Sequence, residues 1–206
     1  MAVSDPSIEP RILESAKAEF LALGFKKASL KTICAEAGVT TGALYKRYKG
    51  KDELFCAVVG GDVAALNAVL KQKADVDVST LSDQALIKAW DMDEGYMVWW
   101  FKLLYAHHDG LVLLLRCAEG SSYSNFQHDW VEQMTSSTYA YYSEARRRGL
   151  ATYALTVAEM HVLLSAFWTT IYEPFIDDFP WEAIEDHCKI VCRLFDWYHL
   201  LGFPKG

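Results

Sequence analysis

The chain has 206 residues, a formal net charge of −7 and a hydrophobic content of 52%, enough to bury a core in two modest domains. Residues 1–10 are polar and no run of 18 or more apolar residues is apparent, so neither a secretory leader nor a membrane span is expected. Five cysteines (34, 56, 117, 188, 192) are odd in number and lack zinc-pair spacing, which reads as reduced, buried thiols in a cytoplasmic chain without metal or other cofactor.

Ile12, Leu13, Ala16, Phe20 and Leu23 recur at spacings of three and four, which predicts an amphipathic helix over about 8–23. Gly24 is its expected left-handed stop, with Phe25 folding back as the hydrophobic contact. Ser29 is placed to cap a two-turn helix whose inward side holds Ile33, Cys34 and Ala37. Gly38 then supplies a sharp turn, and Thr40 caps a third helix over about 41–48. Leu44 and Tyr48, four apart, should face the scaffold, leaving Thr41, Gly42, Tyr45 and Lys46 outward. Gly50 breaks the chain before Lys51 opens a longer helix. A short exposed helix held on an apolar scaffold is how a helix-turn-helix enters a DNA major groove.

Charge points the same way. Between Gly24 and Lys51 stand seven basic residues (Lys26, Lys27, Lys31, Lys46, Arg47, Lys49, Lys51) against the single acid Glu36, a local net of +6. Residues 57–206 hold 11 basic and 20 acidic side chains, a net of −9. The chain is thus a basic head on an acidic body, oriented head-first toward phosphate. A solvated basic face is the plainer reading of such a cluster, and helix–turn–helix elements also occur in proteins that never touch DNA.

Residues 37–55, AGVTTGALYKRYKGKDELF, resemble the TetR family of bacterial transcriptional regulators, whose common form runs AGVSxGTLYxxFxSKEEL. Ala37, Gly38, Val39, Thr40, Gly42, Leu44, Tyr45, Tyr48, Lys51, Glu53 and Leu54 match, and the resemblance extends over about residues 8–56. Two departures are Gly50, where Ser or Asn usually caps the fourth helix, and Ala43 for the usual Thr. The resemblance implies that Tyr45 meets backbone phosphate and that Lys51 binds phosphate at a helix N-terminus. It also places Thr40, Thr41, Gly42 and Lys46 near phosphates or base edges, with Lys46 the better candidate for guanine. Arg47 would lie against the DNA backbone, and Ser29 and Lys31 would face the opposite strand's phosphates.

Beyond residue 56, helices are expected near 51–76, 83–107, 110–118, 123–148, 155–173 and 180–201, giving an all-α chain of about nine helices. Domains are read as 1–56, the helix-turn-helix, and 57–206, an effector-binding and dimerisation domain. Arg146, Arg147 and Arg148 suit the negative end of a helix stopped by Gly149, a solvated helix end rather than a second nucleic-acid site. Pro174 should stop or kink its helix. Leu163, Leu164, Phe167 and Ile171, with Ile184, Cys188, Val191 and Phe195, form wide apolar faces on the last two long helices. Each could be core, but TetR-like proteins pair these helices with a second subunit's, and a palindromic operator on double-stranded DNA asks for such a homodimer.

All seven tryptophans lie beyond residue 57. Aromatic stripes interleaved with polar groups resemble core as well as pocket lining; the pocket reading gathers Trp100, Tyr105, Trp130, Gln133, Tyr141, His161 and Trp168 around a small hydrophobic or aromatic effector. The function expected is a ligand-responsive repressor. The alternative is a DNA-binding scaffold or nucleoid or division regulator that senses nothing, marked by a filled core at that place. An enzyme has least support: there is no phosphate-cradling glycine loop, no HExxH and no nucleophile elbow, and His107 and His108 point to different faces.

Overall fold

A computed structural model describes residues 7–203; residues 1–6, part of the polar opening, and 204–206 lie outside the described residues. Every regular element among the described residues is helical, as the periodicity predicts. In chain order these are α1 (Ile8–Lys27), α2 (Leu30–Glu36), α3 (Thr41–Tyr45), α4 (Lys51–Ala74), α5 (Asp83–Lys88), α6 (Glu94–Ala106), α7 (His108–Val112), α8 (Phe126–Arg147), α9 (Val157–Ile176), α10 (Trp181–Leu194) and α11 (Trp197–Leu201). A 3₁₀ turn covers Val78–Thr80 and a π-helical turn Leu113–Cys117. The backbone forms two compact units, Met1–Leu66 with His107–Gln127, and Asn67–Ala106 with His128–Gly206. This division falls inside α4, ten residues beyond the boundary read from the sequence, and brings α7 and the π turn into the first unit.

The first unit is built on an aromatic core. Phe20, Phe25 and Phe55 are buried, with Phe20 and Phe25 meeting Phe55 edge-on at centroid distances of 5.0 and 5.4 Å. Burying each such ring stabilises by roughly 1.5–3 kcal/mol before conformational entropy is counted. α1 does not stop at Gly24; it breaks there (φ 72°, ψ 162°), in backbone territory reserved for glycine, and resumes to Lys27, which swings Phe25 into the core. Residues 107–127 are tied to this unit by Lys17–Asp109 at 2.5 Å, Lys26–Glu119 at 2.5 Å and the Ser122 amide donating to Asp52 at 2.7 Å. These ties span 70 to 93 residues of chain and no periodicity announces them.

In the second unit α6, α9 and α10 pack on one another around Phe101, Leu104, Trp168, Ile171, Phe175 and Val191. Two long helices expected from the pattern are each split. Residues 83–107 divide at 91–93, because Asp93 accepts from the Tyr96 amide at 2.8 Å and starts α6, while Trp90 turns into the core. Residues 180–201 divide where Asp196 accepts from the His199 amide at 2.9 Å and caps α11. With these splits, the described residues hold eleven α-helical segments where about nine are expected.

Pro174 was expected to stop or kink α9, yet the helix runs on to Ile176. A proline here leaves the Thr170 carbonyl without its N–H partner, and His187 of α10 supplies one, Nε2 donating to that oxygen at 2.7 Å. The expectation of no membrane-length apolar stretch also needs correction: α4 is long and apolar enough by length and composition, with a mean hydropathy of 1.6 over its best window. Its large apolar side chains, Leu54, Phe55, Val59, Leu66 and Leu70, are buried in the protein.

Candidate nucleic-acid interface and ligand cavity

The α2–turn–α3 segment is built as its residues dictate. Ser29 accepts from the Thr32 amide at 3.4 Å and its own amide donates to Glu19, fixing the start of α2 against α1. Gly38 adopts φ +64° at the turn. Thr40 accepts from the Ala43 amide at 3.2 Å and caps α3. α3 is only five residues long, shorter than expected, but Leu44 and Tyr48 are buried beneath it. The Tyr48 hydroxyl donates to Glu9 at 3.2 Å; burial, then that carboxylate, pushes its pKa up to about 12.

Above this scaffold Lys31, Thr40, Thr41, Gly42, Tyr45 and Lys46 are exposed, Tyr45 by 56%. Ser29 is half-buried and serves its cap. Two expected DNA contacts are placed differently. Arg47 turns an N–H back to the Ala43 carbonyl at 3.1 Å. Lys51 donates to the carbonyls of Lys26 and Ala28, both at 3.1 Å, with its ammonium 4.7 Å above the Phe25 ring. The segment that leads into α2 is thus pinned by the lysine that opens α4, leaving one of three ammonium protons uncommitted.

The arginine triplet is occupied within its own unit. Arg146 donates to the Ala151 and Thr152 carbonyls at 2.8 and 2.7 Å. Arg148 reaches Glu144, Asp83 and the carbonyls of Leu81 and Ser79. Arg147 and then Arg148 hold the buried Glu144 carboxyl down at about 2.

A cavity of about 110 Å³ lies within the second unit. Of the seven residues expected around a pocket, Trp100, Trp130 and Trp168 line it. Gln133 and Tyr141 line a separate, more open groove of about 610 Å³. Tyr105 is 50% exposed and set edge-on to Trp181, and His161 sits 3.3 Å from the Thr135 hydroxyl. On α8, Trp130, Met134 and Thr138, each four apart, face the cavity, and Gln133, one residue before Met134, is turned about 100° around the helix into the groove. Sequence reasoning passed over Lys73 and Trp90, which complete the wall. A lysine in the last turn of a helix is where dipole complementarity ordinarily puts one, so nothing in the pattern set it apart.

The expected dimer residues divide. Leu164, Ile171, Ile184, Cys188 and Val191 are at most 3% exposed in the single chain, packed into their own unit, so they offer no surface to a second subunit. Burial also pushes the Cys188 thiol up to about 12. Leu163, Phe167 and Phe195 are half-buried, Phe167 and Phe195 meeting edge-on at 5.0 Å. The exposed large apolar residues of α9 and α10 are Val157, Val162, Ile190 and Leu194, at 52, 66, 59 and 62%.

Residues 12–58 match the model of the bacterial regulatory proteins, tetR family. No curated protein matches the chain in sequence. Among solved structures, NalD of Pseudomonas aeruginosa, described as the secondary repressor of the MexAB-OprM multidrug efflux pump, is 18% identical with a TM-score of 0.62, over 91% of this chain and 93% of that one. GusR of Salmonella enterica is 18% identical with a TM-score of 0.57, over 98% of both. A TetR-like transcriptional regulator of Rhodococcus sp. RHA1 is 18% identical with a TM-score of 0.56, over 97% and 99%. At these identities the likeness is one of fold.

Proposed function

We propose that this chain, whose residues 12–58 match the model of the bacterial regulatory proteins, tetR family, is a cytoplasmic, ligand-responsive repressor that binds a palindromic operator as a homodimer and leaves it when a small hydrophobic effector binds. The observation that carries the DNA reading is the outward face of α3. Thr40, Thr41, Gly42, Tyr45 and Lys46 stand exposed on a scaffold of buried Leu44 and Tyr48, in the most basic segment of the chain. Tyr45 and Lys46 are assigned to phosphate and base edge, with Lys31 and Ser29 on the facing strand. Lys51 and Arg47 act first as positioning residues, holding the entry to α2 and the end of α3, and Lys51 offers its remaining proton to a phosphate.

The division of labour proposed is the one read from the sequence: residues 1–56 meet DNA and 57–206 sense and dimerise. Dimerisation is assigned to α9 and α10 through their exposed face, Val162, Ile190 and Leu194 with half-buried Leu163, rather than through the buried residues first named. A two-fold pair sets two recognition helices roughly 34–36 Å apart, one turn of DNA. An effector that favours another spacing releases the operator by as much as its differential affinity for the two states. The cavity of about 110 Å³ walled by tryptophans favours a sensor over a scaffold with a filled core.

The test is binding-site selection from random duplex DNA followed by mobility shift. A palindromic site bound by the native chain and lost on Tyr45→Ala, with the variant still dimeric by sedimentation, is the expected result. Selection of no site, or binding unchanged in that variant, overturns the docking.

A further inference from the structure

Lys73 sits in the last turn of α4 with its ammonium in aromatic surroundings. Nζ donates to the Thr138 hydroxyl at 3.1 Å and lies 5.3 Å from the Tyr141 ring centre and 5.9 Å from that of Trp90. Among the described residues no carboxylate pairs with it. Burial alone brings its pKa down to about 8, with no acidic neighbour to restore it. An ordinary surface lysine buries its stem and keeps its charge in water. Lys73 is half-buried, at the wall shared by the cavity and the open groove, with its ammonium among aromatic rings.

The same cavity is walled by Trp90 and Trp168, 4% and 1% exposed, whose buried indole N–H groups find no acceptor among the described residues. Buried donors are almost always matched in native proteins, and a mismatch asks for an acceptor from elsewhere. The two indole donors have no acceptor among the described residues and the ammonium is given only the Thr138 hydroxyl, a set that asks for a group that carries negative charge and only accepts. Much of the remaining wall is apolar, Leu70, Met134, Leu164 and Ile171 among it, which suits an apolar body.

We propose that this cavity takes an apolar organic carboxylate, its charge met by Lys73 and its oxygens accepting from the indole N–H groups of Trp90 and Trp168. The proposal rests on the reading of this unit as the effector-binding part and names the class of effector. A cavity of about 110 Å³ suits a single ring or a short chain, since an engineered void of about 150 Å³ holds benzene. Met92 and Met134 line it too, and their unbranched side chains can yield to a somewhat longer body.

Benzoate and its neutral isostere benzamide test this on the full chain at neutral pH, by calorimetry and tryptophan fluorescence. Benzoate should bind at least about tenfold more tightly, as expected of hydrogen bonds to a charged group. In Lys73→Met, which keeps the stem and drops the charge, that preference should vanish while benzamide binding is kept. The wild-type comparison needs no variant to fold, and circular dichroism checks Lys73→Met. Equal binding of the two probes overturns the carboxylate assignment and leaves the pocket reading standing. A preference that survives in folded Lys73→Met overturns the role of Lys73. Binding of neither probe overturns both the assignment and the pocket.

Discussion

Two clusters of cations in this chain look alike on paper and are opposites in space. The arginine triplet 146–148 is the densest positive run in the sequence, yet its N–H groups are bonded to Glu144, Asp83 and four loop carbonyls. Around α3 the charge is sparser, but Lys31 and Lys46 stand exposed beside Tyr45. Positive charge becomes a binding surface only where it is left uncommitted by its own fold. Lys51 and Arg47 lie between these extremes, partly committed to backbone carbonyls within the head itself.

That contrast can be broken by exchanging which cluster is truncated. Lys46→Ala should lower operator affinity by about ten- to a hundredfold, corresponding to roughly 1–3 kcal/mol for a base contact. In mobility shifts at graded salt, Lys31→Ala should instead weaken all sequences alike and reduce the salt slope by about one. Neither change should move the thermal midpoint. Arg148→Ala should do the reverse, leaving DNA affinity intact while lowering the midpoint, because it removes one of the two arginines on Glu144 and frees the 79–83 segment. A triplet variant that loses DNA binding while fully folded would erase the distinction.

Next in size is the His187 bond to Thr170. His187→Ala leaves that half-buried carbonyl unmatched and should cost about 1 kcal/mol in denaturant unfolding. Restoring the amide partner through Pro174→Ala should make the histidine dispensable.

Acid titration sharpens the comparison from the other side. The Glu144 pKa is lowered from 4.5 to about 2, so its contribution to stability is present above the ordinary carboxylate range and is lost as pH falls from about 4.5 through about 2. Glu144→Gln should flatten that part of the acid profile and leave DNA binding at neutral pH unchanged. Comparable in size to the His187 change, Thr40→Ala removes the cap of α3 and should cost about 1 kcal/mol, with a larger effect on operator affinity than on the melting of the whole chain.

The head was largely legible because its signals are local. Ser29, Gly38 and Thr40 declare caps and a turn within four residues of their effect, and Leu44 and Tyr48 were correctly turned inward by a spacing of four. The body was legible only as helix. Its splits at Asp93 and Asp196 are also local, but a capping aspartate inside an apolar pattern is outweighed by that pattern. The expected dimer and pocket residues divide for a different reason: periodicity says which residues share a face and not what that face meets. Ile184, Cys188 and Val191 share one, and it meets α6 and α9 of their own chain.

By itself, then, the sequence determined the helical class, the caps and turns of the helix-turn-helix, and the separation of a basic head from an acidic body, all of which depend on neighbours in the chain. Only the tertiary structure decided the rest. It tied residues 107–127 to the first unit, turned Lys51 inward, occupied the arginine triplet, and left Lys73 beside Trp90 and Thr138 in a cavity. Those outcomes depend on groups tens of residues apart, whose meeting is set by burial and hydrogen-bond satisfaction across the whole fold.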